Sequence, residues 1–265
     1  MKLFYRKYGE GPPLVILHGL MGSSDNWVSI AKMISTSFTV YLPDMRNHGL
    51  SPHSDLNDYE SISTDILEFA DEHGLGKFFL AGHSMGGKAS VHFTMKYPEK
   101  IAGLLVADIS PFRAADTRSK EFNQGLKLLR IIVETDVSQA ESRNDLDALL
   151  AGKVPSAKFR AFVMKNLRRT AGNKFEWKIN AEALMKNVEK IMDGLPCENG
   201  LNTPVSGFPV IFLKGEKSDY LRSADWDDIV RIFPAAVLKV IKNAGHWIHA
   251  DNPEEVSGTL LSLLD

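Results

Sequence analysis

Six short apolar runs punctuate the chain: Leu14 to Leu17, Phe38 to Leu42, Phe78 to Ala81, Ile101 to Ala107, Pro209 to Leu213 and Val237 to Ile241. They are continuous rather than alternating, the pattern of strands buried on both faces of a parallel sheet. Between several of them the spacing turns helical. Tyr59, Ile62, Ile66, Phe69 and Ala70 fall on one helix face, with Asp58 placed as N-cap and Gly74 as the stop. A second helix is expected from Gly87 to Tyr97, closed by Pro98, and a third beginning near Pro253. The alternation predicts an α/β fold with a mostly parallel central sheet flanked by helices.

The rhythm stops between Phe112 and Val205. Phe122, Leu126, Leu129 and Val133 make one helical stripe, and Leu184, Val188, Ile191 and Leu195 make another, with no apolar strand between them. The breakers Pro196, Gly200, Pro204 and Gly207 then mark a linker. The expected organisation is an α/β core formed by residues 1–111 and 206–265, carrying a helical cap at 112–205.

In an open parallel sheet, ligands bind beyond the carboxyl ends of the strands, so the residues just after each apolar run hold the candidate chemistry. After Ala81 comes Gly82-His83-Ser84-Met85-Gly86-Gly87, a serine between glycines at a strand-to-helix turn, as in a nucleophile elbow. A serine hydroxyl needs a neighbouring base. His246, beyond the last run in Asn243-Ala244-Gly245-His246, is the candidate. The other histidines read as structural: His18 and His83 beside glycine-rich turns, His48 in a loop, and His53, His73, His92 and His249 without a motif.

An attack on a carbonyl also needs donors for the developing oxyanion. The backbone N–H groups of Met85, directly after the serine, and of Leu20, in the loop His18-Gly19-Leu20-Met21-Gly22, are placed to supply them. Two carboxylates compete to orient the imidazole. Asp108 ends an apolar run, where a charge is costly without a partner, and Asp219 follows the next run. The burial argument favours Asp108.

Composition narrows the partners. The 265 residues are 44% hydrophobic and 24% charged with a formal net charge of -2, ordinary for a globular protein and without the basic field that nucleic acid requires. The lone Cys197 allows no intramolecular disulfide and no thiolate cluster for a metal. No run is long enough to span a membrane, and Met1 to Lys7 lacks a secretory pattern, so a cytoplasmic protein is expected.

His18-Gly19, Asp44-Met45-Arg46-Asn47-His48-Gly49-Leu50-Ser51, Gly82-His83-Ser84-Met85-Gly86-Gly87 and Gly245-His246-Trp247 together resemble the α/β-hydrolase superfamily in order and spacing. Within it, Asp108-Ile109-Ser110-Pro111, Phe175-Glu176-Trp177-Lys178-Ile179-Asn180 and Gly245-His246-Trp247-Ile248-His249-Ala250 resemble the YbfF-type bacterial esterases. The resemblance implies cleavage of small acyl esters or thioesters such as acyl-CoA, with no cofactor. It also implies a triad acid at Asp108, although most of the superfamily places it where Asp219 stands. Carbon-carbon hydrolases, lyases and slow-turnover receptors share the fold. The first two would call for arginines near the serine, with Arg113, Arg118, Arg160, Arg168 and Arg169 of the cap as candidates. Phe112, Phe122, Phe162, Trp177 and Trp247 are candidate pocket walls.

Overall fold

A computed structural model describes residues 1–112, 120–195 and 204–265. Arg113, Arg118, Pro196, Cys197, Gly200 and the side chain of Phe122 lie outside the described residues.

The six apolar runs and one further strand form a seven-stranded sheet. Its strands are β1 (Tyr5–Tyr8), β2 (Pro13–Leu17), β3 (Thr39–Pro43), β4 (Phe78–His83), β5 (Ile101–Ala107), β8 (Val210–Gly215) and β9 (Ala236–Ile241). They lie in the order β1-β3-β2-β4-β5-β8-β9, parallel throughout except β1, which pairs antiparallel with β3. β1 was not foreseen, because Tyr-Arg-Lys-Tyr at a sheet margin carries no apolar signal.

Because successive strand residues point to opposite faces, each apolar run feeds two cores. Leu17, Leu80, Leu104 and Phe212 pack on one side with the helices α2 (Tyr59–Glu72) and α3 (Met85–Lys96). Ile16, Ala81, Leu105 and Leu213 pack on the other side, with α1 (Val28–Ile34) and α11 (Pro253–Leu261). The apolar face expected of α2 is buried along its length, and the Asp58 carboxylate accepts the Ser61 N–H at 2.8 Å as its cap. Strand β9 departs from its expected burial: Val237 is 52% exposed and Val240 46%, since β9 is the sheet's outer strand.

Between β5 and β8 lie α4 (Lys120–Val133), α5 (Arg143–Ala151), α6 (Ala157–Met164), α7 (Ala181–Lys186) and α8 (Val188–Met192). This stretch is not purely helical. The strands β6 (Leu167–Arg169) and β7 (Phe175–Trp177) form an antiparallel hairpin within it, too short and too charged to show as apolar runs. The buried face of α4 holds Leu128, Leu129, Ile131 and Ile132, so the expected stripe is displaced and Val133 is exposed. No helix among the described residues is long and apolar enough to cross a membrane.

The strand order places the site. From β2 the sheet continues through β3 on one side and through β4 on the other, so the loops after β2 and β4 part and leave a crevice at their carboxyl ends. The turn after β4 closes tightly against the first turn of α3. A Cβ on Gly82 would lie 2.1 Å from the Gly86 carbonyl oxygen and 2.4 Å from the Ser90 hydroxyl. Gly82→Ala is therefore expected to lower stability by about 3 kcal/mol or more, measured by urea unfolding. A variant as stable as the parent would contradict this packing.

Candidate active site

Ser84 sits between β4 and α3 with φ 55° and ψ −118°, a left-handed conformation unusual for a residue with a side chain. The turn is fixed from both sides. The Ser84 N–H donates to the Ala107 carbonyl at 3.1 Å, and the Ser84 carbonyl accepts the Lys88 N–H at 3.0 Å. The hydroxyl thereby stands at the start of a helix, on the wall of a cavity of about 730 Å³. Leu20, Met85 and His246 line the same cavity.

Asp108 is fully buried, also in a left-handed turn, at φ 52°. Its carboxylate accepts the Gly215 N–H at 2.8 Å, the Ser218 hydroxyl, and the Nδ1–H of His246 at 2.8 Å. This arrangement sets the tautomer of His246: with Nδ1–H on the carboxylate, Nε2 keeps its lone pair. Asp219 is exposed at the cavity wall. The carboxylate bonded to the imidazole is thus Asp108. The loop singled out for Asp219 contributes Ser218 to the carboxylate and Tyr220 to the ring, stacked on His246 at 3.6 Å between centroids and 15° between planes. Sequence reasoning passed over both, although they flank the acid it weighed.

Four other histidines are buried, and three of them hold backbone in place. His83 faces the His246 carbonyl through Nε2 at 2.8 Å, so Nε2 carries the proton. His18 donates Nδ1–H to the Gly19 carbonyl at 2.8 Å and accepts the Met45 N–H on Nε2 at 2.9 Å. His48 donates Nδ1–H to the Arg46 carbonyl and accepts the Met21 N–H on Nε2 at 3.2 Å. His249 stacks on Trp27 at 4.8 Å. Burial holds His18 neutral, down to about 4. Burial, helped by a neighbouring imidazole, brings His48 and His249 to about 3 and His83 well below the ordinary value.

One more cation is buried at this wall. Lys88, one turn after Ser84, donates to the carbonyls of Met192 at 3.0 Å and Asp193 at 2.6 Å at the end of α8, and burial lowers its pKa to about 8. Among the expected wall aromatics, Phe162 and Trp247 line the cavity, with rings 5.0 Å apart. Phe112 and Trp177 do not line it; Trp177 donates its indole N–H to the Thr135 carbonyl instead. The described cap arginines turn away as well. Arg160 pairs with Asp147, Arg168 with Glu176, and Arg169 with the Asn173 side chain.

Residues 12–253 match the family model for the alpha/beta hydrolase fold. The chain belongs to the α/β-hydrolase family. It is 36% identical to the sn-1-specific diacylglycerol lipase ABHD11 of Danio rerio, over 97% of this chain and 79% of that protein. It is 30% identical to Esterase YbfF of Escherichia coli (strain K12), over 92% of this chain and 89% of that protein. Among solved structures it resembles a marine microorganism esterase, at 42% identity and a TM-score of 0.94 over 99% of both chains.

The buried neutral imidazoles give stability a pH dependence with a definite sign. In the unfolded chain each binds a proton near pH 6.5, whereas in the folded chain His18 does so near 4 and His48 near 3. Their contribution is therefore complete above about pH 6.5 and is lost on acidification, by about 1.4 kcal/mol per imidazole per pH unit over that window. Urea midpoints measured from about pH 7 to about pH 5 should fall progressively. A constant midpoint would contradict the neutral assignment.

Proposed function

We propose that this chain is a serine hydrolase that cleaves small acyl esters or acyl thioesters through an acyl-enzyme on Ser84. The observation that carries the reading is the bond from His246 Nδ1–H to the buried Asp108, in a cavity shared with a serine held in a strained turn. That bond leaves Nε2 free to act as base.

In this mechanism the Ser84 oxygen attacks the acyl carbonyl carbon as its proton passes to His246 Nε2. Asp108, its charge already met by Gly215 and Ser218, stabilises the imidazolium. The carbonyl oxygen, now negative, takes hydrogen bonds from the Leu20 and Met85 amides. The bond to the alcohol or thiol breaks, and the leaving group takes the proton from His246. Water then attacks the acyl-enzyme, gives its proton to His246, and the acid departs as that proton returns to Ser84. Every step uses side chains and backbone amides of this chain, so the mechanism calls for no metal or organic cofactor.

The cavity wall supports an acyl substrate. Ile109, Leu128, Phe159, Phe162 and Ile191 give it an apolar lining suited to a hydrocarbon chain. Arg160, Arg168 and Arg169 are engaged elsewhere, whereas Arg222 lines the cavity. The relatives named as a lipase and as esterases agree with ester cleavage.

The test compares Ser84→Ala, Asp108→Asn and Asp219→Asn on short-chain esters and thioesters. Ser84→Ala should abolish turnover and labelling by a fluorophosphonate probe. Asp108→Asn should lower kcat by about 10⁴, through loss of the working tautomer, and Asp219→Asn should stay within about threefold of the parent. Loss of activity in Asp219→Asn alone would overturn the assignment of the acid.

A further inference from the structure

We infer that Asn166, carried by the segment between β5 and β8, is a positioning residue for the oxyanion loop and couples that segment to the chemical step. The inference rests on the function proposed above. It starts from the three consecutive peptide units after β2. The first joins Gly19 to Leu20, so the Gly19 carbonyl and the Leu20 N–H point in opposite directions across one rigid plane. Holding the carbonyl aims the N–H, and it is held by His18 Nδ1–H at 2.8 Å and by the Gly22 N–H at 2.9 Å. The second unit is held by the bond from the Met21 N–H to His48.

The third unit is held from outside the core. The Met21 carbonyl accepts from the Asn166 side-chain amide at 2.9 Å, across 145 residues of sequence. Met21 needs that restraint, because it lies at φ 60°, where a residue with a side chain is disfavoured. With its N–H bonded to His48 and its carbonyl to Asn166, the strained residue is bracketed, and the Leu20 plane before it cannot relax.

Asn166 is itself built in. It is buried, directly before β6, and its carbonyl accepts the Lys178 N–H at 2.7 Å, closing the base of the β6-β7 hairpin. That base is tied to the core by His53 at the Lys178 carbonyl and by two bonds from Asn180 to Asn47, from its N–H to the Asn47 carbonyl at 2.9 Å and from its side-chain amide at 3.1 Å. The hairpin thus sets Asn166 at a fixed height over the loop. The tie ends on the carbonyl of the strained residue itself, in the loop that carries the Leu20 N–H.

Asn166→Ala removes the donor, and Asn166→Leu removes it while keeping nearly the same volume and adding no charge. The measurements are thermal melting, kcat and KM on a short ester, and affinity for a trifluoromethyl ketone, to which the Ser84 oxygen adds to leave an anionic oxygen. Both variants should melt cooperatively, with kcat down at least about tenfold, KM within about twofold, and ketone affinity down in parallel with kcat. A kcat equal to the parent's in the folded Leu variant, a change in KM alone, or a loss of kcat with ketone affinity retained would each overturn the inference. Ser84→Ala serves as the control: if it still turns over, the functional reading itself fails. An inactive Ser84→Ala beside fully active Asn166 variants sinks only the role of Asn166.

Discussion

The site depends on one buried charge. A carboxylate removed from water at the end of a strand is strongly destabilising unless every side of it is met, and Asp108 is met by donors from the loops after β8 and β9. The same three bonds therefore gather the carboxyl ends of three adjacent strands to one point. The position of His246 follows from that closure, and Tyr220 and His83 complete it, one stacked on the ring and the other bonded to its backbone.

Three buried neutral imidazoles, His18, His48 and His83, tie down the loops at the site. Each holds a backbone group that a charged or flexible side chain would hold less well, because a buried neutral ring both donates and accepts at fixed angles. His18 and His48 serve the loop after β2, and His83 serves the loop after β9. His246 stands apart from them, partly exposed on the cavity side with an anion behind it, as the proposed reaction requires.

Much of this was legible in the residues. The apolar runs located every core strand except β1, and the positions just after them held Ser84, Asp108, His246 and the loop of Leu20, since strand ends and site coincide in such sheets. That Asp108 rather than Asp219 meets the imidazole was also within reach, because an acid closing an apolar run must have partners. What sequence could not disclose depended on contacts between distant segments. The β6-β7 hairpin is set by a few backbone bonds, the displaced face of α4 by what packs on it, and the exposure of β9 by its place in the strand order. Ser218, Tyr220 and Asn166 meet their partners across stretches of chain that no local pattern encodes.

Lys88 carries a consequence of a different kind. Its ammonium is satisfied by carbonyls at the end of α8, and the Tyr59 hydroxyl bonds to the Ile191 carbonyl beside them. Core and overlying segment are therefore co-adapted at this seam. Transplanting the segment from a relative onto this core would leave a buried cation without acceptors unless the incoming chain offered carbonyls at the same height, so the two parts fit as a matched pair rather than as interchangeable modules.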